Sequence, residues 1–398
     1  MATEARAVAA PTARISSMDV VRGLVMVLMA IDHVRVYSGQ PAGGPTAGIF
    51  FTRWITHFVA PAFVFFAGTG AFLHRAKLGD RGKLARFLAS RGLWLVLLEL
   101  TLLRFAWTFN FDYAHYSLAG VIWMLGWCMV LLAGIIYLPV WAIATFGLVT
   151  IVAHPILYPL MGAVHAADGS VLDALFKVLY LGEGFDVGKG GPPLLVLFVI
   201  IPWIGVMAAG YAFGPVMRWP AERRRAFCLR LGIGSTALFV ALRALDGFGD
   251  PRHWHDQMTK GWPGLLAFLN TSKYPASFLF LLMTLGPTIA LLPLVEGAKG
   301  WLAGVLETFG RVPLFYYMLH IPLIHLAAIA VSLIRTGAVT PWLFANHPLN
   351  PGQAPAGYQW SLPLLYLVWA VVVVILYFPC RWYAALKARN KSTWLSYL

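Results

Sequence analysis

Residues 18–76 decide the fold and read MDVVRGLVMVLMAIDHVRVYSGQPAGGPTAGIFFTRWITHFVAPAFVFFAGTGAFLHRA. Two apolar segments are joined by a Gly/Pro-rich loop, and each is long enough to cross a bilayer as a helix of about 20 residues. The first segment ends in Asp32 and His33, and the second opens with Arg53 and His57, four residues apart and therefore on one helix face. Ionisable side chains inside an apolar span are costly and usually face the interior of a helical bundle. This pair of helices is therefore predicted to hold the reaction centre of an integral-membrane enzyme.

The composition of the whole chain also indicates a membrane protein. The 398 residues are 60% hydrophobic and only 12% charged, whereas soluble domains carry about 25% charged residues. This deficit excludes an ordinary soluble enzyme. The net charge of +14 comes from basic residues concentrated in a few loops, so it indicates orientation in the membrane and contact with anionic lipid rather than nucleic acid. Three cysteines lie far apart and form neither a metal spacing nor a disulfide framework.

The predicted fold class is all-α, a polytopic helical membrane bundle of about ten spans. The predicted spans are residues 18–37, 50–74, 88–109, 117–137, 140–161, 192–214, 226–245, 273–295, 311–334 and 362–382. A single transmembrane domain (17–384) follows a flexible cytoplasmic N-terminus (1–16) and precedes a basic cytoplasmic tail (385–398).

Loop charges and loop lengths predict the orientation. Basic residues are concentrated in alternate loops, so the positive-inside rule places both termini in the cytoplasm. The outer loops 162–191, 246–272 and 335–361 are long, and loops of that length are usually functional. We therefore expect the open side of the site to face outward.

His33 is interpreted as a general base that deprotonates an acceptor hydroxyl or amine. Asp32 could fix the tautomer of His33, but adjacent helical residues diverge by about 100°, so that contact needs a local break or another helix. The alternative is a polar pair at a helix end that reaches the membrane interface.

His57 could orient His33 or replace it as the base, and Arg53 could hold an anion. The alternatives are a core histidine bonded to a neighbouring carbonyl and an arginine at the interface. The predicted catalytic residues are therefore His33, Asp32, His57 and Arg53.

The third span contains Glu99 and Arg104, which lie about 140° apart on a helix and cannot pair along one face. Each is expected to meet a partner on another helix, with a structural ion pair as the preferred role. Asn110 and Asp112 follow at the predicted outer surface, where they are candidates for acceptor binding.

The segment 270–287 reads NTSKYPASFLFLLMTLGP. Asn270 and Ser272 can cap the eighth span, and Lys273 beside a helix N-terminus makes an anion site. The alternative is a capped helix whose lysine reaches the interface. Asn270, Lys273 and Tyr274 are therefore further candidates for substrate binding.

Two histidines, His320 and His325, lie deep in the ninth span on different faces. His320 is predicted to line the central cavity, and His325 to be a satisfied core histidine. No metal site is expected, because the sequence has no HExxH motif and no carboxylates at ligand spacing beside these histidines.

Four segments resemble the bacterial branch of the heparan-alpha-glucosaminide N-acetyltransferase family, which belongs to the transmembrane acyltransferases. They are SMDVVRGLVMVLMAIDH (17–33), TRWITHFVAPAFVFFAG (52–68), NTSKYP (270–275) and FGRVPLFYYMLHIPLIH (309–325). The resemblance covers the chain from about Ser16 to the tenth span. It implies transfer of an acyl group, usually acetyl, from acetyl-CoA on the cytoplasmic side to a sugar or glycan on the other side of a bacterial cytoplasmic membrane.

The resemblance also implies residue roles. The catalytic histidine of the family lies at the outer end of the early helices, which matches His33, and Arg22 stands in the RG step of the same motif. Where the eukaryotic branch has an acid before the VxPxFVF segment, this chain has His57. Direct transfer and an acyl-histidine intermediate both stay open.

CoA carries phosphates, so basic residues at the cytoplasmic rim are candidates for binding it, although a solvated positive-inside rim is the alternative for each. The cofactor-binding candidates are Arg22, Arg75, Lys77, Arg218, Arg311 and His320. The predicted partners are acyl-CoA, a sugar or glycan acceptor and membrane lipid, with a homodimer left open and with no nucleic acid or metal.

Two functions from different classes are compatible with the sequence. The first is the acetyl-CoA-dependent acyltransferase, with an imidazole as base and Arg53 near the oxyanion. The second is a proton-coupled small-molecule transporter, since buried protonatable groups also mark ion pathways.

Overall fold

The fold is described from a computed structural model, which covers residues 16–163, 169–188, 190–346 and 354–390, with Ser392 and Leu395. The predicted flexible N-terminus lies outside the described residues except for Ser16. Parts of two predicted outer loops, residues 164–168 and 347–353, also lie outside them.

Helices make up most of the described chain. In its first half they are α1 (Ser16–Tyr37), α2 (Ala47–Trp54), α3 (Val59–Leu78), α4 (Arg81–Leu98), α5 (Arg104–Thr108), α6 (Val121–Ile135), α7 (Val140–Ala163) and α8 (Val171–Phe176). In its second half they are α9 (Ile201–Phe213), α10 (Ala221–Leu245), α11 (Trp254–Thr259), α12 (Gly264–Leu269), α13 (Phe278–Leu294), α14 (Trp301–Arg311), α15 (Pro313–Thr336) and α16 (Leu362–Arg389). A 3₁₀ turn at Ile55–Phe58 links α2 to α3, and a wider π-helical turn at Glu99–Leu103 links α4 to α5.

Within the residues that the structure describes, five helical segments are long and apolar enough to cross a membrane. They are Ala47–Leu78, Val140–Leu157, Ala221–Leu245, Pro313–Thr336 and Leu362–Arg389. This architecture agrees with an all-α membrane protein. The count of ten spans and the cytoplasmic placement of both termini stay predictions. The last helix runs to Arg389, so it extends five residues into the segment predicted as a tail from residue 385.

A small sheet interrupts the helical chain and differs from the prediction. Its strands are β1 (Ser117–Ala119), β2 (Gly184–Asp186) and β3 (Pro193–Val196), in the order β1-β3-β2. β1 runs parallel to β3, and β2 runs antiparallel to it. Residues 117–119 and 193–196 were predicted to begin membrane spans. Short apolar runs suit a buried strand as well as a helix, so periodicity alone could not separate them.

Close backbone contact fixes α1 against α14. A Cβ atom at Gly23 would lie 1.8 Å from the carbonyl oxygen of Leu306, and one at Gly310 would lie 1.8 Å from that of Asp19. Both clashes are with backbone, so neither can be relieved by a side-chain rotation. Small residues at a crossing allow two helices to pack at this distance, and α1 is thereby held firmly at its N-terminal half.

The start of α13 differs from the predicted cap. The helix begins at Phe278, and the hydroxyl of Ser277 accepts the hydrogen bond from the Phe280 N–H at 3.0 Å. The two residues predicted to cap this helix make other hydrogen bonds. The Asn270 amide donates to the Gln257 amide oxygen at 2.6 Å. The Ser272 N–H donates to the buried Asp250 carboxylate at 2.8 Å. Lys273 therefore lies in a turn before α13 rather than in its first turn.

Candidate active site

A polar cavity of about 280 Å³ lies between the C-terminal half of α1, the α2–α3 junction, β1, β3 and the turn before α13. We call this space the polar cavity. Its polar lining residues are Asp32, His33, Arg35, Arg53, Thr56, Glu99, Lys273, Tyr274 and Tyr317. The sheet closes one side, since Leu118, Leu195 and Leu197 also line it. The elements missed by periodicity therefore form a wall of the site.

A second cavity, of about 250 Å³, adjoins the first and is lined mainly by apolar side chains. We call it the apolar cavity. Four residues line both spaces: Met29, Val59, Val121 and Tyr317. The apolar cavity also reaches three basic side chains, those of Arg22, His74 and Arg91. Arg22 and His33 are eleven residues apart on α1, which corresponds to about 16 Å along the helix.

His33 and His320 form a hydrogen-bonded pair, with His33 Nδ1 2.6 Å from His320 Nε2. The Nδ1 of His320 lies 2.6 Å from the carbonyl oxygen of Tyr317. A carbonyl oxygen only accepts hydrogen bonds, so His320 Nδ1 carries a hydrogen. In the neutral ring His320 Nε2 is then an acceptor, and His33 Nδ1 is its donor. This assignment leaves the lone pair of His33 on Nε2.

Aromatic rings fix the position of the His33 ring. The His33 and His320 rings stack with centroids 4.8 Å apart, and Trp107 contacts His33 edge-on at the same centroid distance. Tyr317 packs at 6.3 Å. The imidazole is therefore held in one orientation by packing as well as by its hydrogen bond.

Asp32 does not form the contact with His33 that was considered from the sequence. Its carboxylate accepts from Arg35 Nε at 2.8 Å and forms an ion pair with Arg53. Adjacent residues of an unbroken helix point in different directions, and α1 has no break at this point. His320 therefore takes the partner position that was considered for Asp32.

The polar cavity has more positive than negative charge in the cluster formed by Asp32 and the cations around it. Arg35 and Arg53 share the single carboxylate of Asp32. Lys273, 8% exposed, has no ion pair within the described part of the chain. Its Nζ lies 5.8 Å and 5.2 Å from the ring centroids of Phe198 and Tyr274. The cavity therefore offers a buried cation to an anionic group.

Tyr274 links this lysine to the ion pair. Its hydroxyl accepts from Arg53 Nη2 at 3.4 Å. Of the three predicted acceptor-binding residues in this stretch, Lys273 and Tyr274 line the polar cavity, whereas Asn270 is bonded to Gln257.

His57 lies outside the described lining of both cavities. It is buried, and its ring packs edge-on against Phe280 with centroids 5.4 Å apart. Its Nδ1 has no hydrogen-bond partner among the described residues. The structure thus brings His33, Asp32 and Arg53 together in the lining of the polar cavity, which does not include His57.

Glu99 was expected to form an ion pair, and this expectation was wrong. Its carboxylate accepts from the backbone N–H groups of Ile122 at 2.9 Å and Trp123 at 3.2 Å, at the start of α6. The first N–H groups of a helix have no partner within it, so an acceptor from elsewhere satisfies them. A Cβ atom at Gly120 would lie 2.8 Å from Glu99 Oε1, so a glycine there permits the contact.

Arg104 was expected to form an ion pair, but its guanidinium is bound by three backbone carbonyls and three side-chain oxygens. It donates to the carbonyls of Tyr116, Asn110 and Asp112 and to the side-chain oxygens of Thr108, Asn110 and Asn346. These acceptors converge because the chain turns sharply after α5. The arginine is therefore a structural brace for this turn.

Asn110 and Asp112 belong to the same brace and lie outside the described lining of the polar cavity. The Asn110 amide donates to the Phe344 carbonyl at 2.7 Å. Asp112 is bonded to His115 at 2.6 Å and to the Asn346 amide at 2.8 Å. The hydrogen bond from His115, followed by that from Asn346, holds the pKa of Asp112 below its usual range.

The predicted cofactor-binding residues are dispersed. Arg22 lines the apolar cavity and donates to the Gly310 carbonyl at 3.3 Å. Arg75 donates to the Tyr211 hydroxyl at 3.2 Å, and Arg311 pairs with Glu307. Lys77 and Arg218 are exposed. Of the predicted set only Arg22 lines the apolar cavity, and His320 supports His33 instead.

Sequence reasoning missed several lining residues. Arg35 stands three residues after Asp32, so helical spacing could have indicated their ion pair. Arg91 and His74 lie in helices that pass the same cavity, and no local signal distinguishes them from other basic residues. The described residues contain no group of three or more His, Cys, Asp or Glu side chains that could hold a metal.

These features define a class: a helical membrane protein with a buried polar site that adjoins an apolar cavity. The sequence model of the family described as heparan-alpha-glucosaminide N-acetyltransferase, catalytic, matches residues 14–242. The match covers more than half of the chain, so this protein belongs to the heparan-alpha-glucosaminide N-acetyltransferase family. The family predicted from the sequence motifs is confirmed, and the protein is a membrane acyltransferase of the N-acetyltransferase type. The comparison with curated proteins found no match.

Proposed function

We propose that this protein transfers an acetyl group from cytoplasmic acetyl-CoA to a sugar or glycan on the outer face of a bacterial cytoplasmic membrane, with His33 as the general base. The observation that carries the proposal is the hydrogen-bond chain from the Tyr317 carbonyl through His320 to His33. These hydrogen bonds leave the basic lone pair of His33, which lines the polar cavity, on its Nε2 atom. A base needs that lone pair to accept a proton from the acceptor.

The shape of the two cavities supports a thioester donor. A pantetheine arm is long and narrow, and the apolar cavity leads from Arg22, His74 and Arg91 to residues that also line the polar cavity. The basic side chains suit the phosphates of CoA. In this arrangement His33 lies where the thioester end of the donor would reach.

In the transfer step, the acceptor nitrogen or oxygen forms a bond to the acetyl carbonyl carbon, and its proton passes to His33 Nε2. The carbon–sulfur bond breaks, and the thiolate of CoA takes the proton back from His33. The positive charge that forms on His33 is shared with His320 through their hydrogen bond. The buried charge of Lys273, with Arg53 beside it, stabilises the negative charge on the carbonyl oxygen.

An acyl-histidine route uses the same atom. His33 Nε2 would then attack the thioester carbon, release CoA thiolate, and pass the acetyl group to the acceptor in a second step. Rapid mixing with acetyl-CoA in the absence of acceptor distinguishes the routes, because only this one releases a stoichiometric burst of free CoA.

The decisive experiment measures transfer of labelled acetyl groups to membrane glycans by the purified protein. His33→Ala is expected to lower the transfer rate by about 10²–10⁴-fold without changing the melting temperature by more than a few degrees. His57→Ala is the matched comparison, because this second buried histidine lies outside the described cavity lining and is expected to keep most of the activity. Full activity of His33→Ala would refute the assignment, and loss in His57→Ala alone would transfer the role of base to His57.

Donor binding can be tested separately. Acetyl-CoA at 100 times its dissociation constant is expected to stabilise the protein by about 2.7 kcal/mol through linkage, with a weaker effect in Arg91→Gln. Proton-driven flux of a small molecule into liposomes without CoA, together with no shift by acetyl-CoA, would instead support the transporter alternative.

A further inference from the structure

A third cavity, of about 300 Å³, lies between α7 and α10, two helices that expose apolar side chains. We call it the lateral groove. Its floor is formed by α9 and α13, and its lining side chains are almost all apolar. Small residues at Ala144, Ala209 and Ala212 leave the space between the two wall helices open.

The lateral groove has the length of one membrane leaflet. Its lining residues extend from Ala144 to Val152 on α7, from Phe227 to Ser235 on α10 and from Phe278 to Ile289 on α13. The stretches on α7 and α10 advance eight residues, or about 12 Å along a helix, and the stretch on α13 advances eleven residues, or about 16 Å. Half of a hydrocarbon core of about 30 Å is about 15 Å. The groove therefore matches one acyl chain of a single leaflet.

A guanidinium stands at one end of the lateral groove. Arg223 lies four residues before Phe227 on α10, so the two share the helix face that continues through Leu231. The Arg223 guanidinium stacks on Trp219 at 4.1 Å from the ring centroid, and Trp219 packs against Phe227 at 5.2 Å. An exposed arginine is thus continuous with the apolar lining.

Arg223 differs from its neighbour in what it contacts. Arg224 pairs with Glu296 and donates to the Trp219 carbonyl at 2.8 Å. Arg223 has no ion pair within the described chain, and its guanidinium carbon lies over the Trp219 ring. A phosphate is a group that guanidinium N–H donors bind well.

We propose that the lateral groove binds one acyl chain of an anionic phospholipid, with the lipid phosphate against Arg223. The apolar length, its single-leaflet extent and the arginine at one end all fit an amphiphile with an anionic head. This site is separate from the acyl-transfer cavities and does not depend on the proposed reaction.

Native mass spectrometry of the full-length protein in detergent tests the proposal. The protein is titrated with phosphatidylglycerol and, separately, with phosphatidylcholine carrying the same acyl chains. The wild type is expected to retain phosphatidylglycerol about five-fold better, and Arg223→Ala is expected to remove this preference. Leu231→Trp fills the groove and is expected to reduce retention of both lipids, with Ser235→Phe as a second filling variant should the first not fold.

Arg225→Ala is the matched control, because residue 225 is exposed in the same turn but points about 200° away from residue 223. It is expected to retain the preference. Equal loss in Arg223→Ala and Arg225→Ala would overturn the proposal in favour of diffuse attraction to the basic loop. A dimer that Leu231→Trp dissociates would overturn it in favour of a second copy as the occupant.

Discussion

Arg104 and Arg53 are both buried arginines, but their surroundings differ in kind. Arg104 donates to a ring of backbone and side-chain oxygens that close the turn after α5. Arg53 shares one carboxylate with Arg35 and faces a cavity that also contains Lys273. A buried cation whose donors are all used is structural. A cluster with surplus positive charge next to an open cavity can bind an anionic ligand.

The largest effect is expected on protein stability, from substitution of Arg104. Arg104→Met leaves several buried and partly buried oxygens without donors, and because each orphaned buried acceptor costs about 1–3 kcal/mol, the protein should lose about 3 kcal/mol of unfolding free energy. Thermal unfolding in detergent measures this loss. Activity per folded molecule should stay close to that of the wild type. A stable but inactive variant would break the distinction between the two arginines.

Substitution of a charged residue in the polar cavity should have the opposite result, a loss of activity with little loss of stability. Lys273→Gln removes a buried charge from the proposed oxyanion site, so kcat should fall about 10²–10³-fold while the melting temperature changes little. Steady-state transfer rates and unfolding curves of the same preparation provide both numbers. Unchanged kcat with a higher KM would assign Lys273 to acceptor binding instead.

A smaller effect is expected at His320, a positioning residue that acts through His33. His320→Leu removes the acceptor for His33 Nδ1–H, so the rate should fall about 100-fold and the pH dependence of the rate should shift. His320→Gln restores an acceptor oxygen and should recover part of the rate. Identical pH–rate profiles for the wild type and both variants would limit His320 to packing.

The smallest effect is expected at Asp112. Its pKa is lowered by hydrogen bonds from His115 and Asn346, so its stabilising contribution is present above the unfolded pKa of about 3.9 and is lost as pH falls through the lower folded value. Asp112→Asn should therefore melt slightly below the wild type at neutral pH, and the difference should vanish in acid. Melting curves across this pH range measure it, and a constant difference would rule out the charge as its source.

Local patterns predicted the largely helical architecture, because apolar windows are properties of contiguous sequence. They failed at 117–119 and 193–196, where a short apolar run pairs as a strand with a distant segment. The resemblance identified the family, and His33 and Arg53 were found from their position in apolar helices. The partner of His33 could not be found this way, since His320 is 287 residues away and only the packing of α1 against α15 brings them together. Glu99 shows the same limit: its acceptor role depends on where α6 begins.

The tight crossing of Gly23 and Gly310 has a consequence for which donors fit. Since α1 is unbroken from Ser16 to Tyr37 and is held in place at this crossing, the distance between Arg22 and His33 along the helix is fixed. No loop lies between these two residues that could change this distance. In the proposed reaction, a donor anchored by its charged head at Arg22 therefore carries its reactive carbon at one set distance, and a longer tail extends past His33 into the proposed acceptor space.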